Sequence, residues 1–331
     1  METIETALKK AAKDLFVSNK IDLLIGYTKG TLPLRSRPCV IKSADEVDKL
    51  VWNSYCSNNL GVYLPQFFQA QPQKKKDEPP LKIGIVAKGC DSRSIVGLLK
   101  EKQFSRENIV IVGVPCHGMV DLIKIETLLN GDILISGEER SDGILSIMTR
   151  EGKEKDIVFD DVIMDACLEC RLPSPKDTDV LIEGEPRKPG EETFALVEKF
   201  EALSPEERWQ YFQEEISKCI RCYACRQVCP NCYCKECFAD HTKPRWIGAS
   251  IDLSDVMFYH IGRIFHQAGR CVGCGACVRA CPMNIDLRIF TQKLVKDTRD
   301  LFGYIPGMSL EELPPLCTFK EDDSQDFITE P

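Results

Sequence analysis

Two stretches of this chain repeat one cysteine pattern. CIRCYACRQVCP places Cys219, Cys222, Cys225 and Cys229 before Pro230, and CVGCGACVRACP places Cys271, Cys274, Cys277 and Cys281 before Pro282. Each reads C-x₂-C-x₂-C-x₃-C-P, whose two short intervals curl the backbone around a cube of iron and sulfide and set three thiolates on three irons. The fourth cysteine, a further turn away, reaches the other cube. The spacing therefore predicts two [4Fe-4S] clusters with exchanged ligands. Cys219, Cys222, Cys225 and Cys281 would hold one, and Cys271, Cys274, Cys277 and Cys229 the second. Zinc knuckles also use C-x₂-C, but they give no reason for a doubled four-cysteine run ending in proline.

The remaining composition fits this chemistry. Of 18 cysteines in 331 residues, most lie late in the chain. Disulfides need an oxidising compartment, normally reached through a signal peptide. The opening METIETALKKAAKDLFVSNKIDLL is charged every few residues, and no stretch approaches the roughly 18 apolar residues of a membrane span. The expectation is a cytoplasmic chain with reduced thiols and no membrane span. Lys plus Arg is 43 against 51 acidic residues, a net charge of −8, which argues against a nucleic-acid partner. An apolar fraction of 43% supports a packed core and excludes disorder or coiled coil as the main architecture. Lys218, Arg221, Arg226, Arg270 and Arg279 crowd the two runs within this acidic chain, and cations beside a thiolate cluster favour its reduced form. Gly273 and Gly275 leave room between ligands for backbone amides to approach the sulfurs.

Seven further cysteines carry weaker signals. NCYCKECFADH sets Cys232, Cys234 and Cys237 near His241; these can hold zinc, help hold another cluster, or be buried unligated thiols. Cys90 ends the strand-like KIGIVAKGC and Cys116 ends NIVIVGVPC, at the rim where open α/β sheets place their ligands. With Cys167 and Cys170 of DACLECR they complete a third [4Fe-4S] site, although single cysteines at strand ends also serve as small hydrophobes. Cys56 competes for one of those places, and Cys39 and Cys317 read as structural. Lys88 and Arg93 flank Cys90 as candidate cofactor-binding cations beside a cluster, or as helix-terminal charges. No G-x-G-x-x-G or G-x₄-G-K-[ST] occurs. His117 beside Cys116 is not read as a catalytic pair, because neighbours in an extended turn point apart. No catalytic residue is assigned.

Periodicity predicts helix over 2–18, strand over 21–27, helix from Ala44, a polar loop over 70–80, strand 81–87, helix 92–102, strand 109–114 and helix 119–130. Short strands follow near 132–136, 143–149 and 157–163. The fold class is an α/β (or α+β) N-terminal domain with a partly parallel sheet over 1–175. A Pro/Gly-rich linker over 176–192 leads to a mainly helical two-cluster domain over 193–300, which begins with a helix over 193–216, and a tail over 301–331. In LSDVMFYHIGRIFHQAGR, the residues Met257, Ile261, Ile264, Phe265 and Ala268 form an apolar helical stripe, with His260 and His266 read as structural.

On HIGRIFHQAGRCVGCGACVRACPMNIDL, about a quarter of the chain resembles the helical ferredoxin domain of heterodisulfide-reductase-type and succinate-dehydrogenase-type subunits. At GIVAKGCDSRSIVGLLKEK, GVPCHGM and CLECR, the first half resembles the beta subunits of deazaflavin-coenzyme-dependent hydrogenases and dehydrogenases, formate dehydrogenase beta subunits above all. Together these cover residues 20–300. The resemblance implies a cluster on Cys90, Cys116, Cys167 and Cys170, an FAD-bearing α/β domain, and electron passage to a partner subunit. The family's Gly-Gly-Val-Thr-like flavin stretch is missing, and NNLGVYL stands in its place. The expected function is therefore an iron–sulfur electron-transfer subunit of an anaerobic oxidoreductase complex of formate dehydrogenase, hydrogenase or heterodisulfide-reductase type. The first alternative keeps FAD and exchanges hydride with a deazaflavin or NAD(P)H; the second is a zinc-stabilised interaction module.

Overall fold

The structure is a computed structural model that describes residues 3–69, 80–140, 143–190, 194–315, 318–319 and 321. Cys317 and nearly all of the polar loop read over 70–80 lie outside the described residues.

Helix α1 (Ile4–Val17) starts where the Thr3 hydroxyl accepts a hydrogen bond from the Thr6 amide, and it buries Leu8, Ala12 and Leu15. Strands β1 (Leu23–Lys29) and β2 (Ser36–Ile41) pair antiparallel. After helix α2 (Tyr63–Gln69) come β3 (Ile83–Ala87), α3 (Gly89–Lys100), β4 (Ile109–Gly113) and α4 (Leu122–Leu129). A three-stranded antiparallel meander, β5 (Leu134–Glu139), β6 (Ile144–Thr149) and β7 (Glu154–Val158), leads to the short helix α5 (Asp165–Leu168) and to β8 (Val180–Leu181).

The main sheet runs β2-β1-β3-β4-β8, with β1, β3, β4 and β8 parallel. All five residues of β3 are buried. Such a continuous apolar run, IGIVA, is what a strand covered on both faces requires. The C-terminal ends of β3 and β4 hand the chain to Cys90 and Cys116. The segment read as a linker supplies β8, so it closes the edge of this sheet instead of hanging free.

The second half holds α6 (Ala195–Glu201), α7 (Pro205–Ser217), α8 (Ala224–Gln227), α9 (Leu253–His266), α10 (Ala276–Arg279) and α11 (Arg288–Phe302). The single helix read over 193–216 is two. Ser204 caps α7: its hydroxyl accepts from the Glu207 amide at 3.2 Å and the Glu207 carboxylate accepts from the Ser204 amide at 2.8 Å. Pro205 at the first helical position fits this start, because an amide there would be unpaired in any case. Phe212 of α7 and Phe290 of α11 meet edge-to-face at 5.3 Å in a core that also holds Ile216, Tyr259, Ile264 and Ile285.

The two halves are tied together. Arg93 of α3 donates to the Pro306 carbonyl at 2.9 and 2.8 Å and to the Val272 carbonyl at 3.1 Å. Glu101, just past α3, pairs with Arg270 at 2.6 Å, and Glu169 pairs with Arg288. The segment after α11, read as tail, packs on the first domain, where the Tyr304 hydroxyl accepts from Lys100 at 2.9 Å.

Candidate iron–sulfur sites

The two cysteine runs fold as one motif used twice. Within the first, Arg221 and Tyr223 have φ of 54° and 58°; at the matching places of the second, Gly273 and Gly275 have 71° and 67°. Each run thus needs two left-handed residues between its first three cysteines, and each then enters a one-turn helix, α8 or α10. Glycine adopts this conformation without steric cost, whereas a side chain there costs about 1–2 kcal/mol. In the first run Arg221 is anchored by donating to the Gly248 carbonyl at 2.7 Å and to the Tyr223 hydroxyl at 2.7 Å. Gly275 has a second reason to be glycine: a β-carbon would come within 2.8 Å of Ala166 in α5.

These turns bring sulfurs of the two runs beside one another. Burial raises the Cys219 thiol, and the sulfurs beside it that add to the effect are Cys225, Cys281 and Cys222. Burial pushes Cys271 up to about 12, with Cys274, Cys277 and Cys229 as the contributing sulfurs. Backbone amides point at several of them: the Arg221 amide donates to Cys219 Sγ at 3.3 Å. The second set, Cys229, Cys271, Cys274 and Cys277, lines one small cavity together with Arg263, Gln267 and Arg288. Cys277 lies among the sulfurs that raise Cys225, so the two sets adjoin. Cys222 of the first run is exposed.

A second cavity, of about 170 Å³, opens at the rim of the main sheet. Cys90 at the start of α3, Cys116 after β4, Cys167 in α5 and Cys170 just beyond it all line it, and so does Cys274. Burial pushes Cys116 up to about 12, with Cys167 next among the causes. Cys90 rises first by burial and then through Asp91, with Cys274 and Cys116 adding. Cys56 does not line this cavity. It is fully buried in the core, with its sulfur 3.5 Å from Asn53 Oδ1. His117 is exposed while Cys116 is buried, so the two side chains diverge.

Lys88 and Arg93 also line the cavity, but their donors are directed elsewhere. Arg93 binds the carbonyls named above. The Lys88 ammonium is buried against Tyr27, the Asn58 carbonyl at 2.8 Å, the Cys56 carbonyl at 3.0 Å and the Asp91 carboxylate at 2.9 Å. Burial works against its charge, yet Asp91 and Tyr27 hold its pKa well above the ordinary value. The NNLGVYL stretch is locked in the same network. Asn59 donates to Ser94 Oγ at 3.0 Å, and the Leu60 amide donates to Asp91 at 2.8 Å.

Cys232, Cys234 and Cys237 line a third cavity, of about 260 Å³, which includes His266 and not His241. Among the described residues, no three His, Cys, Asp or Glu side chains converge on a single metal-ion position. A zinc ion requires every sulfur about 2.3 Å from one point. A cubane offers four separate irons and holds its thiolates farther apart.

Tyr259, Arg263 and Gln267, which the sequence did not single out, lie on α9 or just beyond it. The expected apolar stripe is rotated: Ile261 and Phe265 are exposed, and the buried face carries Tyr259, His260, Arg263, Ile264 and Gln267 just beyond the helix. Tyr259 Oη stands 3.8 Å from Cys225 Sγ and His260 Nε2 stands 3.3 Å from Cys219 Sγ. Gln267 reaches Cys229 Sγ at 3.5 Å and Cys232 Sγ at 3.6 Å. Burial lowers His260 to about 3, so the ring is neutral. The signal was there as Tyr259, Arg263 and Gln267, four residues apart on one face.

Residues 215–285 match the 4Fe-4S dicluster domain family. The F420-dependent formate dehydrogenase subunit beta of Methanocaldococcus jannaschii is 23% identical, with 92% of each chain covered. The F420-dependent formate dehydrogenase 1 subunit beta of Methanococcus maripaludis is 25% identical over 89% of this chain and 88% of the relative. The chain resembles formate dehydrogenase beta subunits along about nine-tenths of its length. A chain of the F420-reducing [NiFe] hydrogenase complex from Methanosarcina barkeri matches 50% of this chain and 58% of its own, at 14% identity and a TM-score of 0.37, which is too slight to build on. Both the sequence-based family resemblance and the 4Fe-4S domain are thus borne out. No helix among the described residues is long and apolar enough to cross a membrane.

Proposed function

We propose that this chain is an electron-relay subunit holding three [4Fe-4S] clusters in series within an oxidoreductase complex. The observation that carries the reading is the position of Cys274, which lines both the rim cavity and the adjoining ferredoxin-like cavity. The thiol sets therefore follow in order: Cys90, Cys116, Cys167 and Cys170; then Cys229, Cys271, Cys274 and Cys277; then Cys219, Cys222, Cys225 and Cys281. The last set ends at exposed Cys222, where a partner protein can approach. Each cubane, when bound, supplies one-electron chemistry with the charge spread over four irons. The chain's own residues space the sulfurs, direct amides at them, and exclude water with the apolar cores on either side. The relatives' standing as dehydrogenase subunits supports protein partners and a complex of formate dehydrogenase type.

The relatives' F420 dependence favours one other reading, in which FAD in the first half exchanges hydride with a deazaflavin. Anaerobic purification with flavin extraction and reductive titration separates the two. The relay predicts uptake of about three electrons per chain, one per cluster, without releasable flavin. Stoichiometric FAD with F420-dependent dye reduction would replace it with the hydride reading.

A further inference from the structure

Most cations around the cysteine runs are matched by carboxylates. Lys218 pairs with Glu215, Arg226 with Asp240, Arg270 with Glu101 and Arg288 with Glu169. Arg263 is different. It lies on the buried face of α9, is 3% exposed, and among the described residues no carboxylate pairs with it. Its Nη2 donates to the Cys225 carbonyl at 3.0 Å, while its buried Nε and Nη1 have no partner. A guanidinium cannot shed its proton to escape burial. A buried, unpaired charge is costly unless opposite charge faces it.

The groups that face it are sulfurs. Cys229, Cys277, Cys225 and Cys232 all act on Arg263. Cys225 belongs to one proposed ligand set, and Cys229 and Cys277 belong to the other. Arg263 also borders the cavity of the second set. We propose that Arg263 is a positioning residue that holds one fixed positive charge at the junction of the two ferredoxin-like clusters and so raises both reduction potentials together. The inference rests on the relay reading and goes beyond it, because it assigns joint control of two potentials to one side chain. The physical basis is that reduction adds negative charge, and a desolvated cation with N–H donors stabilises the reduced form of each neighbour. A merely structural Arg263, strapping α9 to the Cys225 carbonyl, would need one donor and no charge.

Arg263→Gln separates these roles, since glutamine keeps a donor and removes the charge. The test uses the full chain, purified anaerobically, with iron content and an EPR-monitored redox titration of the ferredoxin-like signals. Wild-type protein without iron would defeat the relay reading itself, before any variant is compared. With iron present, Arg263→Gln should shift both midpoints to lower potential, and Arg263→Lys should shift both by less. Unchanged midpoints, or a shift in one cluster alone, would overturn the assignment. Should Arg263→Gln lose iron, the lysine variant decides: both midpoints lowered supports the role, and wild-type midpoints refute it.

Discussion

Gly89 is the first residue of α3, between Lys88 and Cys90. A β-carbon at this position would stand 1.6 Å from the Leu172 carbonyl oxygen, against 3.4 Å for ordinary contact, so 3.4 − 1.6 = 1.8 Å has to be recovered by movement. Either the first turn of α3 moves, taking Cys90 with it, or the backbone just after Cys170 moves. Ligand distances at a metal site tolerate only about 0.2 Å. Gly89→Ala should therefore lose the rim-cavity cluster and keep the other two, a drop of about four irons from about twelve per chain. Gly97 lies in the same helix with nothing within 4 Å of its added β-carbon. Gly97→Ala should keep all iron and gain about 0.5–1 kcal/mol in stability. The assay is iron and acid-labile sulfide per chain after anaerobic purification, with EPR of the reduced protein. Full iron in Gly89→Ala, or equal loss from all three sites, would refute the reasoning.

Cys90→Ala should likewise remove only the rim-cavity signal in the same assay, and retention of full iron would return Cys90 to a packing role. Cys277→Ala should abolish one ferredoxin-like signal and weaken its neighbour, because Cys277 adjoins Cys225 of the other set; unchanged iron content would contradict this. Lys88→Met leaves Asp91 buried without its ion-pair partner and should cost about 3–5 kcal/mol. The lower end is expected, because the Lys88 and Leu60 amides still bind Asp91. Its denaturation midpoint by tryptophan fluorescence should fall, and a wild-type midpoint would remove the network from the account.

The sequence spoke most clearly where spacing alone carries chemistry. Eight cysteines in two runs specify which turns they make, because short intervals leave the backbone few choices. Cys90, Cys116, Cys167 and Cys170 were harder, since their meeting depends on the parallel order of β3 and β4 and on the return of α5 to the sheet edge. The buried face of α9 was misread because apolar periodicity assumes an apolar neighbour. Here the helix packs against thiols, so Tyr259, His260 and Arg263 turn inward and Phe265 turns out. β8 escaped notice because two residues among prolines and charges carry no strand pattern; its pairing with Val112 and Gly113 comes from the sheet.

Iron and acid-labile sulfide counted on the anaerobically purified full chain, with low-temperature EPR after dithionite reduction, test the central claim most directly. The account predicts a brown protein with about twelve irons and as many sulfides per chain, and signals from three interacting clusters. A colourless protein that carries zinc or no metal, and shows no paramagnetic signal on reduction, would contradict it.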